Sequence, residues 1–309
     1  SFILADCPGR VQYTRNMVTG ASTADVVVLL VDARHGVLEQ TRRHLAVAGL
    51  LAVPHVVVAV NKIDLVDFSA EAFTRVADRI ERVAAALGVA DARILPTSAL
   101  LGDNIVERSA RTPFYDGPAL LELLESLPAE SARADRALRL PVQMVIRPRG
   151  AAAEGLSEYR GYAGSIAAGT VSVGDEIVVL PSRRRTAVTG INLGARALPS
   201  ARAGQSVALE LADDIDIARG DVIAGPRGLP PLVREIDAHV AWLSEHPLHG
   251  DDRILVKHGT RTVRALVAGI EGALDLDDLT TALADRLVLN DIGRVRLRLA
   301  EPLPAADYA

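Results

Sequence analysis

The chain has 309 residues, of which 49% are hydrophobic and 24% charged, the composition of a globular protein and not of a disordered or fibrous one. Its formal charge of -5 argues against an extended nucleic-acid footprint, and no apolar run approaches the roughly 18 residues of a membrane-spanning helix. The single cysteine, Cys7, rules out an internal disulfide and fits a reducing, cytoplasmic compartment.

The first part of the chain alternates apolar runs with helical spacing. Residues 1–6 (SFILAD), 24–33, 54–62 and 92–99 read as buried strands. Residues 13–24, 37–51, 69–88 and 117–128 carry apolar residues at helical intervals. Near-continuous apolar strands separated by helices predict a parallel sheet covered on both faces. A Pro, Ala and Ser-rich stretch around 128–136 reads as a linker.

Beyond it the runs are short, alternating and punctuated by glycine: 140–147, 159–182, 185–193, 205–211 and 220–225. This pattern predicts a small β-barrel. The Pro-rich break GPRGLPPLVRE (225–235) leads to a second β section with strands in 236–243, 253–259, 262–270 and 286–303. The expected division is 1–135, 136–228 and 229–309: an α/β domain followed by two all-β barrels.

The most specific chemical signal is VAVNKIDLVD (58–67), an Asn-Lys-x-Asp directly after a buried strand. Asp64 can accept hydrogen bonds from the ring N–H and exocyclic amine of guanine, a pattern adenine cannot mirror. Asn61 can bridge the base and neighbouring loops, and the Lys62 stem can lie along the ring face. The competing reading is a polar strand-to-helix turn with Asp64 as a cap. One α/β unit later, LPTSAL (95–100) places Ser98, Ala99 and Leu100 at a strand end. There a backbone N–H can reach the guanine carbonyl and Ser98 can brace Asp64; alternatively Ser98 or Thr97 caps a helix.

ADCPG (5–9) puts Asp6, Cys7, Pro8 and Gly9 at the end of the first apolar run. Asp6 can hold a magnesium-bound water, and the Gly9 N–H can meet a γ-phosphate because glycine admits close approach. The phosphate cradle G-x-x-x-x-G-K-[ST] is absent from these residues: Lys62 and Lys257 are the two lysines, and neither follows a glycine. The chain therefore reads as a fragment beginning just before the phosphate-sensing strand, with weak GTP binding and no hydrolysis expected of it alone. Two further features stand apart. His246, His249 and His258 lie near one another, as a solvated loop or a metal site. PSRRRTA (181–187) is a basic hairpin, either solvated or a contact for a phosphate or partner.

Together, DCPG, YTRNMVTGAS, NKID and SAL, followed by two β-barrels, resemble the translation-factor class of GTPases. Within that class, residues 12–44, 98–125, 159–182, 214–223 and 289–308 are similar to the large GTPase subunit of bacterial sulfate adenylyltransferase. The resemblance implies GTP and Mg2+ as cofactors. It also implies a small catalytic subunit as partner, which joins ATP and sulfate into adenosine 5'-phosphosulfate and pyrophosphate while GTP hydrolysis drives the uphill step. Neither nucleic acid nor membrane is expected as a partner. The family usually carries His after Pro-Gly to orient the attacking water, where this chain has Arg10, which offers donors only and cannot accept a proton. Family members usually continue past the point where this chain ends, so the second barrel also reads as truncated. An elongation factor of the Tu type and a non-catalytic docking fragment are the alternatives.

Overall fold

The computed structural model describes residues 2–7, 14–128, 135–148 and 159–307. By packing the chain divides into two units: Ser1–Ala129 with Asp237–Gly250 and Gly269–Val295, and Glu130–Ile236 with Asp251–Ala268 and Arg296–Ala309.

The first unit holds the parallel sheet. Its elements run α1 (Thr14–Ala21), β1 (Val26–Asp32), α2 (Glu39–Leu50), β2 (His55–Asn61), a 3-10 turn at Ile63–Val66, α3 (Ala70–Ala86), β3 (Ala92–Pro96) and α4 (Leu120–Ser126). The strand order is β1-β2-β3, all parallel, with Val58 of β2 opposite Leu29 of β1 and Ile94 of β3. Valine-rich β2 is buried from Val56 to Val60 because α2 and α3 cover one face and α4 the other. In α3 the apolar positions Ala72, Val76, Ile80, Val83 and Ala84 fall on one face, and Ser69 caps the start by accepting from the Ala72 N–H. Later residues join this unit's core: Ile292 is buried in it, and Ala241, Leu274, Leu276 and Leu279 pack against it.

Two expectations are corrected here. Residues 2–7 form no strand, and Ile3 and Leu4 are fully exposed. A strand is stabilised by ladder bonds to a neighbour, and among the described residues no strand pairs with this segment. The sheet is also not covered on both faces throughout. On β1, Leu29 and Val31 face the core while Val28 and Leu30 are exposed, because α4 packs against Val57, Ala59, Leu95 and the start of β1 only.

The second unit is strand-rich and antiparallel. It contains β4 (Arg139–Pro141), β5 (Met144–Ile146), β6 (Gly161–Ser165), β7 (Thr170–Ser172), β8 (Glu176–Leu180), β9 (Arg184–Leu193), β10 (Arg196–Ala197), β11 (Ser200–Arg202), β12 (Ser206–Leu211) and β13 (Val222–Ala224). The main sheet has the order β4-β13-β8-β9-β12-β6-β5. Alternate residues of these strands, among them Leu140, Tyr162, Ile177, Val179, Ile191, Leu209 and Ile223, share one buried core. Gly169 has φ 79°, and a Cβ there would stand 2.5 Å from the Leu138 amide nitrogen, so this turn requires glycine. The basic run 183–185 sits at the β8–β9 hairpin, where Arg185 pairs with Glu176 at 2.6 Å and Arg183 and Arg184 are exposed.

The remaining strands are β14 (Leu232–Ala241), β15 (Leu248–His249), β16 (Arg253–His258), β17 (Arg261–Leu274), β18 (Thr281–Ala282), β19 (Arg286–Leu287) and β20 (Ile292–Pro304). Four of them form a sheet in the order β14-β20-β17-β16. An α/β section followed by β-rich sections, as the sequence predicts, is what the fold contains.

Candidate functional site

The carboxyl ends of the three parallel strands converge on one site, where open α/β sheets bind ligands. The register places Asp32 at the end of β1 opposite Asn61 at the end of β2, and Val60 opposite Pro96 at the end of β3. Directly after β2, Lys62 takes a left-handed conformation, φ 62° and ψ 36°, which turns the chain into the 3-10 turn carrying Asp64. The buried Ile63 anchors this turn: its N–H donates to the Thr97 carbonyl at 3.1 Å.

Asn61 ties the two base-site loops together. Its Oδ1 accepts from the Ala99 N–H at 2.9 Å and lies 3.5 Å from the Thr97 hydroxyl. Asn61 thus holds the neighbouring loop, and the Ala99 N–H is engaged in doing so. Ser98 is fully buried, and its hydroxyl oxygen accepts from the Leu101 N–H at 3.3 Å. The Gly102 N–H also returns to the Ser98 carbonyl at 2.8 Å, closing a tight turn around the Ser98 side chain. The same turn replaces the helix that Ser98 or Thr97 could have capped. Leu100 projects into solvent beside it.

Asp64 carries the decisive feature. Its Oδ1 is buried and has no hydrogen-bond partner among the described residues. A carboxylate oxygen buried without a donor is costly, so this turn holds Asp64 at an energetic expense. The Asp64 carboxylate as a whole is half-buried, on the turn directly after β2. Lys62 is half-exposed, with Nζ 3.0 Å from Asp32 Oδ2. Arg34 grips the same carboxylate through Nε at 3.0 Å to Oδ1 and Nη2 at 2.7 Å to Oδ2. These Arg34 hydrogen bonds hold the Asp32 carboxyl well below the usual carboxylate range, against the opposing effect of burial.

The loop after β3 is held by polar contacts that the sequence reading did not single out. Asp103, 6% exposed, accepts from Arg111 Nε at 2.9 Å and Nη2 at 2.7 Å and from the Ser109 hydroxyl at 2.6 Å. Arg111 in turn lies over the Phe68 ring at 4.6 Å, linking this loop to the end of the turn that carries Asp64. Asn104, at φ 55°, donates to the Pro96 carbonyl and the Thr112 hydroxyl, both at 2.9 Å, and accepts from the Ser109 N–H at 2.8 Å. The available signal was Gly102-Asp103-Asn104, a turn sequence with two polar residues followed by Ser, Arg and Thr.

The phosphate-end residues are less fully seen. Asp6 is exposed. Cys7 lies against α1: its Sγ donates to the Asn16 carbonyl at 3.5 Å, and a Cβ on Gly20 would meet that sulfur at 2.9 Å. Pro8, Gly9 and Arg10 lie outside the described residues. Among the described residues no group of three or more His, Cys, Asp or Glu side chains could hold a metal ion. His246, whose carbonyl accepts from Trp242 Nε1 at 2.8 Å, and His249 in β15 belong to no such group. No helix among the described residues is long and apolar enough to cross a membrane.

Comparison with known proteins gives this geometry a context. Residues 1–131 match the family described as the elongation factor Tu GTP binding domain, and residues 235–309 match GTP-eEF1A C-terminal domain-like proteins. The chain is 46% identical to the bifunctional enzyme CysN/CysC of Mycobacterium tuberculosis, covering 99% of this chain and 50% of that protein. It is 42% identical to sulfate adenylyltransferase subunit 1 of Laribacter hongkongensis and 43% identical to that of Citrobacter koseri, in each case over 99% of this chain and 63% of the relative. The chain thus spans about half to under two thirds of the length of these curated relatives. A crystal structure of sup35 complexed with GDP superposes with a TM-score of 0.52 at 23% identity, covering 94% of this chain and 73% of that one, a likeness of fold alone. The resemblance read from the motifs is borne out by these relatives, and the α/β section within residues 1–131 is similar to Tu-type GTP-binding domains.

Proposed function

We propose that this chain, similar along 99% of its length to proteins named sulfate adenylyltransferase subunit 1, acts as the GTPase subunit of a sulfate-activating enzyme. That full-length similarity is the observation that carries the reading. In the whole enzyme the partner is a small catalytic subunit that forms adenosine 5'-phosphosulfate from ATP and sulfate, and GTP hydrolysis drives that uphill reaction.

In this reading each residue has a role that its position supports. Asp64 accepts the N1–H and exocyclic amine of guanine, supported by its place on the turn directly after β2, beside Asn61 and Lys62. Asn61 holds the turn against the 98–102 loop, and Lys62 supplies an apolar stem for the ring face. Because Ala99 donates to Asn61, the Leu100 N–H is our assignment for the guanine carbonyl, with Ser98 fixing the turn that presents it. Asp6 is assigned to a magnesium-bound water, and Cys7, Pro8 and Gly9 to the phosphate-sensing loop. Arg10 cannot act as a base, so it stabilises charge on the transferring phosphoryl group or leaves hydrolysis slow. We also propose a three-part organisation with boundaries near 136 and 229, supported by the change from α/β alternation to short strands.

The reading is tested by mixing the chain with the small catalytic subunit of a bacterial sulfate adenylyltransferase. A stable complex by light scattering, with GDP bound in preference to ADP, is the expected result. Absence of both a complex and a guanine preference overturns it.

A further inference from the structure

Within the GTP-binding reading, on which this inference rests, we propose that Asp32, clamped by Arg34, is a positioning residue for Lys62 and thereby sets guanine affinity from the end of β1. Neither residue belongs to the Asn-Lys-x-Asp or Ser-Ala motifs. The sheet brings them to the site: Asp32 pairs in register with Asn61, the residue before Lys62.

The carboxylate has a fixed orientation. Arg34 binds it at three points: its backbone N–H and its Nε both donate to Oδ1 at 3.0 Å, and its Nη2 donates to Oδ2 at 2.7 Å. A planar guanidinium fork held by its own backbone leaves the carboxylate little freedom to turn. What remains of Oδ2 accepts from Lys62 Nζ at 3.0 Å. Lys62 is thus fixed at both ends, by a left-handed backbone and by its ammonium group. The four methylenes between those ends form a rail along which a purine face can lie. A lysine without this anchor would lose rotamer freedom on binding, whereas this one has lost it beforehand. The Arg34 guanidinium also interacts electrostatically with Asp64, so the clamp and the base-reading carboxylate share one local field. Asp32 is mostly buried, whereas Lys62 is half-exposed and its ion pair is screened by water. The effect is therefore modest: about a three- to fivefold change in affinity.

Lys62 and Lys257 are the only lysines in the chain, so selective 13C,15N-lysine labelling gives two side-chain amine signals, with Lys257 as internal reference. The full chain is titrated with GDP beside its Asp32→Asn, Arg34→Gln and Asp32→Glu variants, and folding is checked by circular dichroism. Expected are a Lys62 signal that shifts in Asp32→Asn and Arg34→Gln while Lys257 stays still, about three- to fivefold weaker GDP binding in both, and partial recovery in Asp32→Glu. If Asp32→Asn does not fold, Arg34→Gln carries the test, since it frees the carboxylate without removing it. A shifted Lys62 signal with unchanged GDP affinity overturns the proposal and leaves the guanine site standing. No Lys62 response in the unsubstituted chain even at millimolar GDP, where weak binding would still register, overturns the guanine site and the proposal together.

Discussion

The N–H of Ala99 donates to Asn61 Oδ1 at 2.9 Å, joining the strand end that carries Lys62 and Asp64 to the buried turn that carries Ser98. This bond crosses from β2 to the loop after β3, so it sets the width of the site between them. Asn61→Ala removes it and leaves the Ala99 N–H to water. We expect a stability loss of about 1 kcal/mol, read by urea unfolding, and a larger proportional loss of guanine-nucleotide binding, because the two loops are then free to separate.

Asp64→Asn replaces an acceptor oxygen with an amide. If Asp64 reads guanine, preference moves from guanine towards xanthine nucleotides, whose edge has the opposite hydrogen-bond polarity, and the cost to GDP binding is about 1–3 kcal/mol. Competition between GDP and xanthosine diphosphate measures this. Unchanged relative affinity sinks the assignment. Because the Asp64 oxygen has no protein partner, the variant's stability is expected to match or exceed that of the unsubstituted chain.

Asn104 predicts a different balance. It is 1% exposed, makes hydrogen bonds to Pro96, Ser109 and Thr112, and has φ 55°. Asn104→Ala loses those bonds and puts alanine in the left-handed region, a combined cost of about 3 kcal/mol. Asn104→Gly loses the same bonds without the backbone penalty and is expected to melt between the two. Equal melting temperatures for the alanine and glycine variants contradict the backbone component.

His44 gives a pH dependence with a definite sign. Burial, and secondarily the Arg43 charge, hold its imidazole below the usual histidine value, while Gln40 Nε2 donates to the unprotonated Nε2 at 2.7 Å. The unfolded chain takes up a proton near pH 6.5 and the native state does not. The contribution to stability is therefore present above that pH and declines as pH falls below it towards the native value. Melting temperature is expected to drop between pH 7.5 and 5.5, and His44→Leu to shrink that drop. His258, also lowered by burial, retains part of it. Asp32 contributes nothing in this window, since its lowered carboxyl titrates only in far stronger acid.

Much of this protein was legible in its sequence. Val56–Val60 is a run of consecutive apolar residues, and only a central strand covered on both faces buries all of them. The 3.6-residue spacing in Ala72, Val76, Ile80 and Val83 specifies α3 before any contact is known. Asn61, Lys62 and Asp64 identify themselves because their chemistry is local, three side chains on one turn.

Tertiary structure alone decided what those residues touch. SFILAD is apolar enough for a strand, yet strands exist only in pairs, and pairing is a property of neighbours that composition does not carry. Ser98 lies next to the right motif, but only the folded loop shows that its hydroxyl oxygen accepts from the Leu101 N–H three residues on, a contact no spacing rule specifies. Asp32 looked like the polar end of an ordinary strand. Parallel register set it beside Asn61, 29 residues later in the chain, where Lys62 could reach its carboxylate. Local sequence determines which elements form. Which side chains meet depends on register and packing between segments far apart in the chain, and those are settled only when the whole sheet assembles.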